Sequence, residues 1–270
     1  EIRKATHALA KDLKVVGLMN IQYAVKDSRL FILEVNPRAS RTVPFISKAT
    51  GLELAKAAAK VMAGKTLLSL GIRKERDIKH ISVKESVLPF SRFSGVDILL
   101  GPEMKSTGEV MGVDSSFGIA YYKSQAAAGQ HLPTSGKVFL SVRNEDKRNI
   151  VFIAKKLHDM RFEIVATDGT AKVLHKNNIP AAVVGKISDG FAAIPEWIKT
   201  GKVHLIINTP SGSRGHSDMS PIRSLAVLHG VPCVTTLQGA QAAVNGIEAV
   251  QRGTLGVRSI QEYLRTAQKT

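Results

Sequence analysis

The first part of the chain contains two apolar runs in which hydrophobic and polar positions alternate as they do in β-strands. The runs cover residues 18–25 and 30–36, and the polar stretch between them, residues 26–29, is typical of a hairpin turn. Side chains two positions apart point to the same face of a sheet. One face of the predicted hairpin is therefore apolar and carries Met19, Ile21, Tyr23, Phe31, Leu33 and Val35.

The other face of the predicted hairpin is polar. If the hairpin is centred on Ser28, Gln22 lies opposite Glu34 and Asn20 lies opposite Asn36. This arrangement places one carboxylate beside several amide groups. Carboxylate and amide oxygens suit Mg²⁺ or Mn²⁺, hard ions that are usually shared with substrate phosphates.

Two arginines, Arg38 and Arg41, follow the second strand of the hairpin. Their spacing lets both guanidinium groups reach the same polyphosphate. Together with the polar face, they indicate a site for a metal-bound nucleotide. The alternative is an ordinary hairpin with a half-solvated polar face and a pair of salt-bridging arginines, and periodicity by itself favours that alternative.

From Lys137 onward, short apolar strands alternate with helices, a rhythm that indicates a parallel sheet covered by helices on both faces. The predicted strands are residues 138–142, 164–166, 181–184, 203–207 and 233–235. The predicted helices are residues 147–160, 170–177, 196–200, 221–229, 240–250 and 259–264.

The chain before Lys137 lacks this regular alternation of strands and helices. The pattern predicts helices over residues 2–13, 52–62 and 116–128, a strand over 81–87, and a largely irregular stretch over 88–112 that is rich in Gly and Pro. Residues 129–136 form the best linker in the chain. We therefore expect two domains, residues 1–128 and residues 129–270.

Composition narrows the class of protein. With 270 residues, 44% hydrophobic and 22% charged, the chain has room for two folded domains, and no apolar run has the length of a membrane span. The single cysteine, Cys233, suits a reducing compartment, and we expect it to be a small core residue rather than a reactive thiol. The chain opens at Glu1 without a targeting pattern, so we expect a cytoplasmic location and the C-terminal piece of a longer protein.

The net charge of +16 leaves two interpretations open. Nucleic acid is one, because basic chains neutralise phosphates. However, the Lys and Arg residues are scattered, aromatic residues make up only 5%, and there is no basic tract. Anionic small molecules, together with surface covered by an acidic partner, account for the charge better, so we expect no nucleic-acid partner and no membrane partner.

A second candidate site lies where the predicted parallel strands end, since ligands in such sheets bind beyond the carboxyl ends of the strands. Thr167 and Thr170 flank the point where a strand turns into a helix, and a phosphate could bind there. Lys147 and Lys186 lie at or near neighbouring strand ends, and a glycine-rich loop follows the strand that ends near Asn208. The alternative is that the threonines merely cap a helix.

Two stretches of the sequence resemble one known family. EVNPRASRTVPFISKATG (residues 34–51) and PFSRFSGVDILLGPEMKSTGEVMG (residues 89–112) are similar to the carbamoyl phosphate synthase large chain. The resemblance extends over essentially all 270 residues. It implies an α/β fold: the end of the second ATP-grasp domain with a connecting segment, followed by a Rossmann-like parallel-sheet domain of the methylglyoxal-synthase type.

The resemblance also implies roles for particular residues. Metal ligation is implied for Gln22, Glu34 and Asn36, and catalytic phosphate contacts for Arg38 and Arg41. Binding of a nucleoside monophosphate effector is implied for Lys147, Thr167, Thr170, Lys186 and Asn208. Family members that bind ornithine use groups corresponding to Glu85, Cys233 and Thr235, but they carry tyrosine in place of Cys233. They also carry threonine in place of Pro210, at the nucleotide site.

The activity implied by the resemblance is a ligase that makes carbamoyl phosphate from ATP, bicarbonate and glutamine-derived ammonia, for arginine and pyrimidine biosynthesis. The implied partners are the rest of the large chain, a glutaminase small subunit and further copies in an oligomer. We expect this segment to be inactive by itself. Two alternatives are a stand-alone nucleotide-binding module and a methylglyoxal-synthase-type lyase, whose proton-moving groups would be Asp189, His216 and Asp218.

Overall fold

The computed structural model describes residues 1–92, 96–101, 103–185, 193–210 and 219–268. The chain divides into two compact units, one formed by Glu1–Lys79 with Val257–Thr270 and the other by His80–Gly256. The boundary predicted between residues 128 and 129 does not separate these units. As a boundary between family domains, it stays a prediction.

The first unit contains helices around one hairpin. Its elements are α1 (Ile2–Asp12), β1 (Asn20–Lys26), β2 (Arg29–Asn36), α2 (Thr42–Thr50), α3 (Leu54–Met62) and a C-terminal helix (Ile260–Gln268). α2 ends at Gly51, whose left-handed backbone is a common helix terminator. The C-terminal helix packs near this end of α2, where the Leu264 side chain lies against Gly51.

The hairpin turn differs from the predicted one. Lys26 pairs with Arg29, so the turn consists of Asp27 and Ser28, both with positive φ, and is not centred on Ser28. Two-residue hairpin turns favour this left-handed backbone because its twist matches that of the strands. β2 then carries one extra residue, Leu33, which shifts the register beside Gln22 as a β-bulge does.

The extra residue in β2 restores the predicted pairing. Gln22 lies opposite Glu34, and Asn20 lies opposite Asn36, so the polar face is confirmed. The prediction for Phe31 was wrong. Phe31 pairs with Ala24, two positions from Gln22, and therefore belongs to the polar face.

The second unit contains a two-stranded sheet, a five-stranded sheet and surrounding helices. The antiparallel pair is β3 (Ile81–Val87) with β4 (Gly108–Asp114), followed by α4 (Phe117–Ala127). The next elements are β5 (Lys137–Ser141), α5 (Lys147–Asp159), β6 (Glu163–Thr167), α6 (Asp168–Lys176), β7 (Ala182–Val184), α7 (Ala193–Lys199), β8 (Leu205–Asn208), α8 (Ser220–Leu228), β9 (Cys233–Val234) and α9 (Leu237–Arg252). The C-terminal helix is α10.

The predicted parallel sheet is confirmed, with strand order β7-β6-β5-β8-β9. Along β5, Phe139 packs into one buried cluster while Val138 and Leu140 pack into the other, because successive side chains point to opposite faces. The sheet is therefore buried on both sides, as parallel sheets usually are. No helix in the described part of the chain has the length and apolar character that crossing a membrane requires.

Strand β4 was missed by the sequence pattern, which predicted irregular structure over residues 88–112. Gly108 and Gly112 lie within the strand, and glycine normally weakens a strand. Gly112 is required for packing: a Cβ atom at this position would lie 1.9 Å from the carbonyl oxygen of Ala120 and 2.5 Å from the backbone nitrogen of Ser124. Helix α4 can therefore lie against β4 only where the strand lacks a side chain.

We expect Gly112→Ala to lower the free energy of unfolding by about 1–3 kcal/mol or more, because both clashing groups are backbone atoms that cannot rotate away. Gly108→Ala is the matched control, since a Cβ there would meet nothing within 4 Å. Urea titrations of the two variants check the expectation. Equal effects of the two substitutions would show that the close approach of α4 is unimportant.

Candidate functional site

The polar face of the hairpin gathers its side chains around Glu34. The Gln22 amide nitrogen donates to one carboxylate oxygen at 3.5 Å, and the Asn36 amide nitrogen donates to the other. Glu34 and Gln22 are exposed at this face, so a ligand can reach them. Strand pairing brings these groups together, because Gln22 is directly opposite Glu34 and Asn36 is two positions along the same strand.

The two arginines lie just beyond this face. Arg38 donates through Nη1 to the carbonyl oxygen of Ala39 at 3.0 Å and through Nη2 to the Asn36 Oδ1 atom at 3.5 Å. Arg41 occupies the N-cap position of α2, where the helix dipole also favours an anion. Arg38 thus belongs to the group around Glu34, while Arg41 lies at the start of the following helix.

The donor set on the hairpin fits a hard divalent ion that is shared with a ligand. Among the described residues, no three His, Cys, Asp or Glu side chains come together in a way that could hold a metal. Glu34 supplies the carboxylate, and the amide groups of Gln22 and Asn36 supply neutral oxygens once they turn toward the ion. Phosphate oxygens would have to complete the coordination, as is usual for Mg²⁺.

The second candidate site is at the carboxyl end of the parallel sheet, and we call Ser141, Lys147, Thr167, Gly169 and Thr170 the cradle. Thr167 is the N-cap of α6, but in the described structure its side chain makes no capping bond. Its single hydroxyl hydrogen is shared between two acceptors, Thr170 Oγ1 at 3.3 Å and Ser141 Oγ at 3.5 Å. The interpretation of Thr167 as a simple capping residue is therefore not supported.

Thr170 differs from Thr167 because it is fully buried. Its Oγ1 atom accepts from the backbone nitrogen of Val142 at 3.3 Å, which ties α6 to the residue after β5. Thr170 thus has a structural role in the conformation described. It can still orient the Thr167 hydroxyl, which it contacts directly.

Lys147 brings a positive charge to the start of α6. Its ammonium group donates to Asn144 Oδ1 at 2.6 Å, and a Cβ atom on Gly169 would lie only 2.8 Å from the lysine nitrogen. A cation close to a helix N-terminus is unfavourable, because the dipole there is also positive. Lys186, the other predicted lysine, lies outside the described residues, as do Asp189, His216 and Asp218.

Asn208 is engaged by the protein itself. It is only 2% exposed, its amide nitrogen donates to the carbonyl oxygen of Ser141 at 2.9 Å, and its amide oxygen accepts from Arg223 Nη1 at 2.7 Å. A direct contact with an effector would have to reach this buried amide, and that role stays a prediction. Sequence reasoning missed Ser141, which the strand-end rule could have found, and Arg223, for which the helical pattern offered no signal.

Arg223 forms a buried ion pair with Asp97. Its Nε atom donates to one carboxylate oxygen at 2.7 Å, and Nη2 donates to the other. Burial by itself would raise the pKa of Asp97, but hydrogen bonds from Arg223 and Ser220, with the arginine charge, hold it below its usual range. Asp97 is therefore an ionised partner of a fully buried guanidinium.

The predicted second effector residues lie on different sheets. Glu85 is on β3, where its carboxylate accepts from the Gln125 amide at 2.7 Å, and burial raises its pKa despite this bond. Thr235 follows β9 in the parallel sheet. Cys233 is partly buried against an apolar cluster, and burial raises the pKa of its thiol to about 12, which is the behaviour expected of a packing residue rather than a reactive thiolate.

The fold defines an α/β protein, and two family models divide it into an ATP-binding part and a methylglyoxal-synthase-like part. The family model described as "Carbamoyl-phosphate synthase L chain, ATP binding domain" matches residues 1–70, and the model described as "MGS-like domain" matches residues 149–235. A solved methylglyoxal synthase from Elizabethkingia anophelis NUHP1 aligns with a TM-score of 0.37 and 15% identity, over 42% of this chain and 79% of that chain.

Curated relatives match nearly the whole chain. The carbamoyl phosphate synthase large chain of Archaeoglobus fulgidus is 56% identical over 96% of this chain and 24% of its own length, and that of Methanothermobacter thermautotrophicus is 54% identical over 97% and 25%. The "Carbamoyl phosphate synthase large chain, C-terminal section" of Methanocaldococcus jannaschii is 52% identical over 95% of this chain and 43% of its own length. The chain belongs to the carbamoyl phosphate synthase large chain family and spans about a quarter of the first two relatives.

Proposed function

We propose that this chain is the C-terminal part of a ligase that makes carbamoyl phosphate from ATP, bicarbonate and glutamine-derived ammonia. The proposal is supported by the family match and by the single carboxylate with two amides on one hairpin face. The product would serve arginine and pyrimidine biosynthesis. The partners we propose are the rest of the large chain, a glutaminase small subunit and further copies in an oligomer.

In this proposal the hairpin holds the metal–phosphate end of ATP. Glu34, Gln22 and Asn36 would hold Mg²⁺ or Mn²⁺, which would neutralise the charge that builds up on the phosphates during phosphoryl transfer. Arg38 lies beside Asn36 and would orient a phosphate through its planar guanidinium. Arg41 would add positive charge at the start of α2, which already favours an anion. The rest of the active site would come from the remainder of the large chain.

We also propose that the cradle binds the phosphate of a nucleoside monophosphate and that this binding regulates the enzyme. The observation that carries the proposal is the position of the Lys147 ammonium against Gly169, at the start of α6. An anion would remove the conflict between the lysine and the helix dipole, since it is attracted by both. The Thr167 hydroxyl, which makes no capping bond in the described structure, would donate to the same anion.

Calorimetry can test this site with the uridine, cytidine, adenosine, guanosine and inosine monophosphates. We expect at least one to bind, and Lys147→Ala to weaken binding roughly 10–100-fold, the usual effect of losing a hydrogen bond to a charged group. Lys155→Ala is the matched control, because Lys155 is on the same helix but pairs with Asp159. Absence of binding at millimolar nucleotide, or equal effects of the two substitutions, would rule out the cradle as the site.

A further inference from the structure

Helix α8 carries a fully buried arginine that joins two distant parts of the second unit. Besides its two bonds to the Asp97 carboxylate, Arg223 donates through Nη1 to the amide oxygen of Asn208 at 2.7 Å. A buried charge is costly unless it is paired and hydrogen-bonded, and this one is satisfied on both sides. Arg223 therefore links segment 96–101 to the carboxyl end of β8.

Polar contacts continue from Asn208 to the cradle. The Asn208 amide nitrogen donates to the carbonyl oxygen of Ser141 at 2.9 Å, and the Ser141 hydroxyl accepts from the Thr167 hydroxyl at 3.5 Å. Asp97 and Thr167 are thus the two ends of a series of hydrogen bonds, which is joined at Ser141 through the backbone carbonyl and the side chain of one residue. The series passes through Arg223 and through residues at the ends of three neighbouring strands of the sheet.

Segment 96–101 contacts α8 through several polar groups. Ser224 Oγ donates to the carbonyl oxygen of Val96 at 3.0 Å, and Ser220 also bonds to the Asp97 carboxylate. Asp97 in turn accepts from the backbone nitrogen of Leu99 at 3.3 Å, which shapes the segment itself. The Asp97 side chain remains 24% exposed, so the docked segment lies at the surface and can respond to a change beneath it.

We propose that Arg223 is a positioning residue that couples the cradle to segment 96–101, so that a phosphate in the cradle changes how this segment docks on α8. The inference rests on the proposed nucleotide site. A phosphate oxygen is a stronger acceptor than a neutral hydroxyl, so it would take the hydrogen bond of Thr167 away from Ser141. The adjustment of Ser141 would pass to Asn208, which shares its amide with Arg223. Coupling between sites can be carried by chains of hydrogen bonds and packed side chains, and these contacts form such a chain.

Hydrogen–deuterium exchange on the full chain can test the coupling, with and without each of the five monophosphates used for calorimetry. In the unsubstituted chain we expect the bound nucleotide to slow amide exchange in residues 167–173 and to alter it in residues 96–101. In Arg223→Met, the response of residues 167–173 should remain and that of residues 96–101 should be lost. The comparison is the nucleotide-induced difference within each variant, so a general loss of stability does not enter it.

Two further variants complete the experiment. Asp97→Asn breaks the same ion pair by removing the charge of the partly exposed partner. In this variant, too, residues 167–173 should respond to the nucleotide while residues 96–101 should not. It serves as the test variant if Arg223→Met does not fold. Arg252→Met is the matched control, because it removes an arginine that pairs with Glu248 at the surface, and it should keep both responses.

The outcomes separate the two proposals. If none of the nucleotides alters amide exchange in residues 167–173, the cradle is not a nucleotide site and the proposed coupling is wrong as well. If residues 167–173 respond but residues 96–101 do not, the site stands and the coupling is wrong. If both respond and still do so in Arg223→Met and Asp97→Asn, the coupling does not pass through Arg223.

Discussion

Glu34→Gln, placed in a complete large chain that carries this segment, should lower the rate of ATP-dependent carbamoyl phosphate formation roughly 10²–10³-fold, or about 3–4 kcal/mol, by analogy with the loss of other preorganised electrostatic groups. The substitution keeps the shape of the side chain and removes its charge. Among Gln22, Glu34 and Asn36, only Glu34 is a carboxylate, so the variant would leave a bound metal ion without a charged ligand from this hairpin.

The fold should tolerate this substitution, because Glu34 is exposed and its contacts are with the amides of Gln22 and Asn36. Steady-state assays over a range of Mg²⁺ concentrations measure the effect. Glu53→Gln is the matched control, since Glu53 is an exposed carboxylate of the same unit that pairs with Lys56. Near-normal synthesis by Glu34→Gln at limiting Mg²⁺ would show that the hairpin face is not the metal site.

Arg223→Met should lower the free energy of unfolding by about 1–3 kcal/mol, the cost of leaving buried hydrogen-bonding groups without their partner. The substitution leaves the Asn208 amide oxygen without its arginine donor and the Asp97 carboxylate without its counter-ion. Arg252→Met removes a mostly exposed arginine from Glu248, which keeps Lys156 as a second partner, and should cost at most about 1 kcal/mol. Denaturant titrations of both variants make the comparison, and similar losses would show that the buried pair contributes little.

The same pair predicts an acid dependence. The pKa of Asp97 in the folded chain is below its ordinary value of 3.8, so the folded state favours the ionised carboxylate. The associated stability is therefore present above pH 3.8 and is lost as the pH falls through the folded pKa. In Arg223→Met this part of the acid dependence should shrink, because the group that lowers the pKa of Asp97 is gone.

The alternation of polar and apolar residues was enough to predict the hairpin and the parallel sheet. Both depend on local periodicity, which decides which side chains can be buried together. The predicted pairs Gln22–Glu34 and Asn20–Asn36 were right, although the turn is not centred where it was predicted. The two-residue turn shifts the register by one residue, and the bulge in β2 shifts it back. The face of Phe31 was wrong for the same cause: the extra residue, Leu33, lies between Phe31 and Glu34, so Phe31 points to the face opposite the one that the prediction gave it.

Strand β4 and the buried ion pair depended on tertiary structure. The glycines at positions 108 and 112 are unfavourable in a strand, so the sequence pattern did not predict β4. The packing of α4 on β4 explains why a side chain is excluded at Gly112. Nothing along the chain distinguished Arg223 from an ordinary solvated arginine on a helix. Its burial follows from Asp97, 126 positions away, which neutralises the charge.

By itself, the sequence determined the class of fold, the polar face around Glu34 and the position of Thr167 and Asn208 at the carboxyl end of the parallel sheet. These follow from residue type and from the period of the pattern, which are local properties. The tertiary structure decided that Thr170 and Asn208 are held by the protein, that Thr167 is not used as a helix cap in the described structure, and that Arg223 connects them to Asp97. Such roles depend on which partner occupies each hydrogen-bonding group, and that is settled only when distant segments meet.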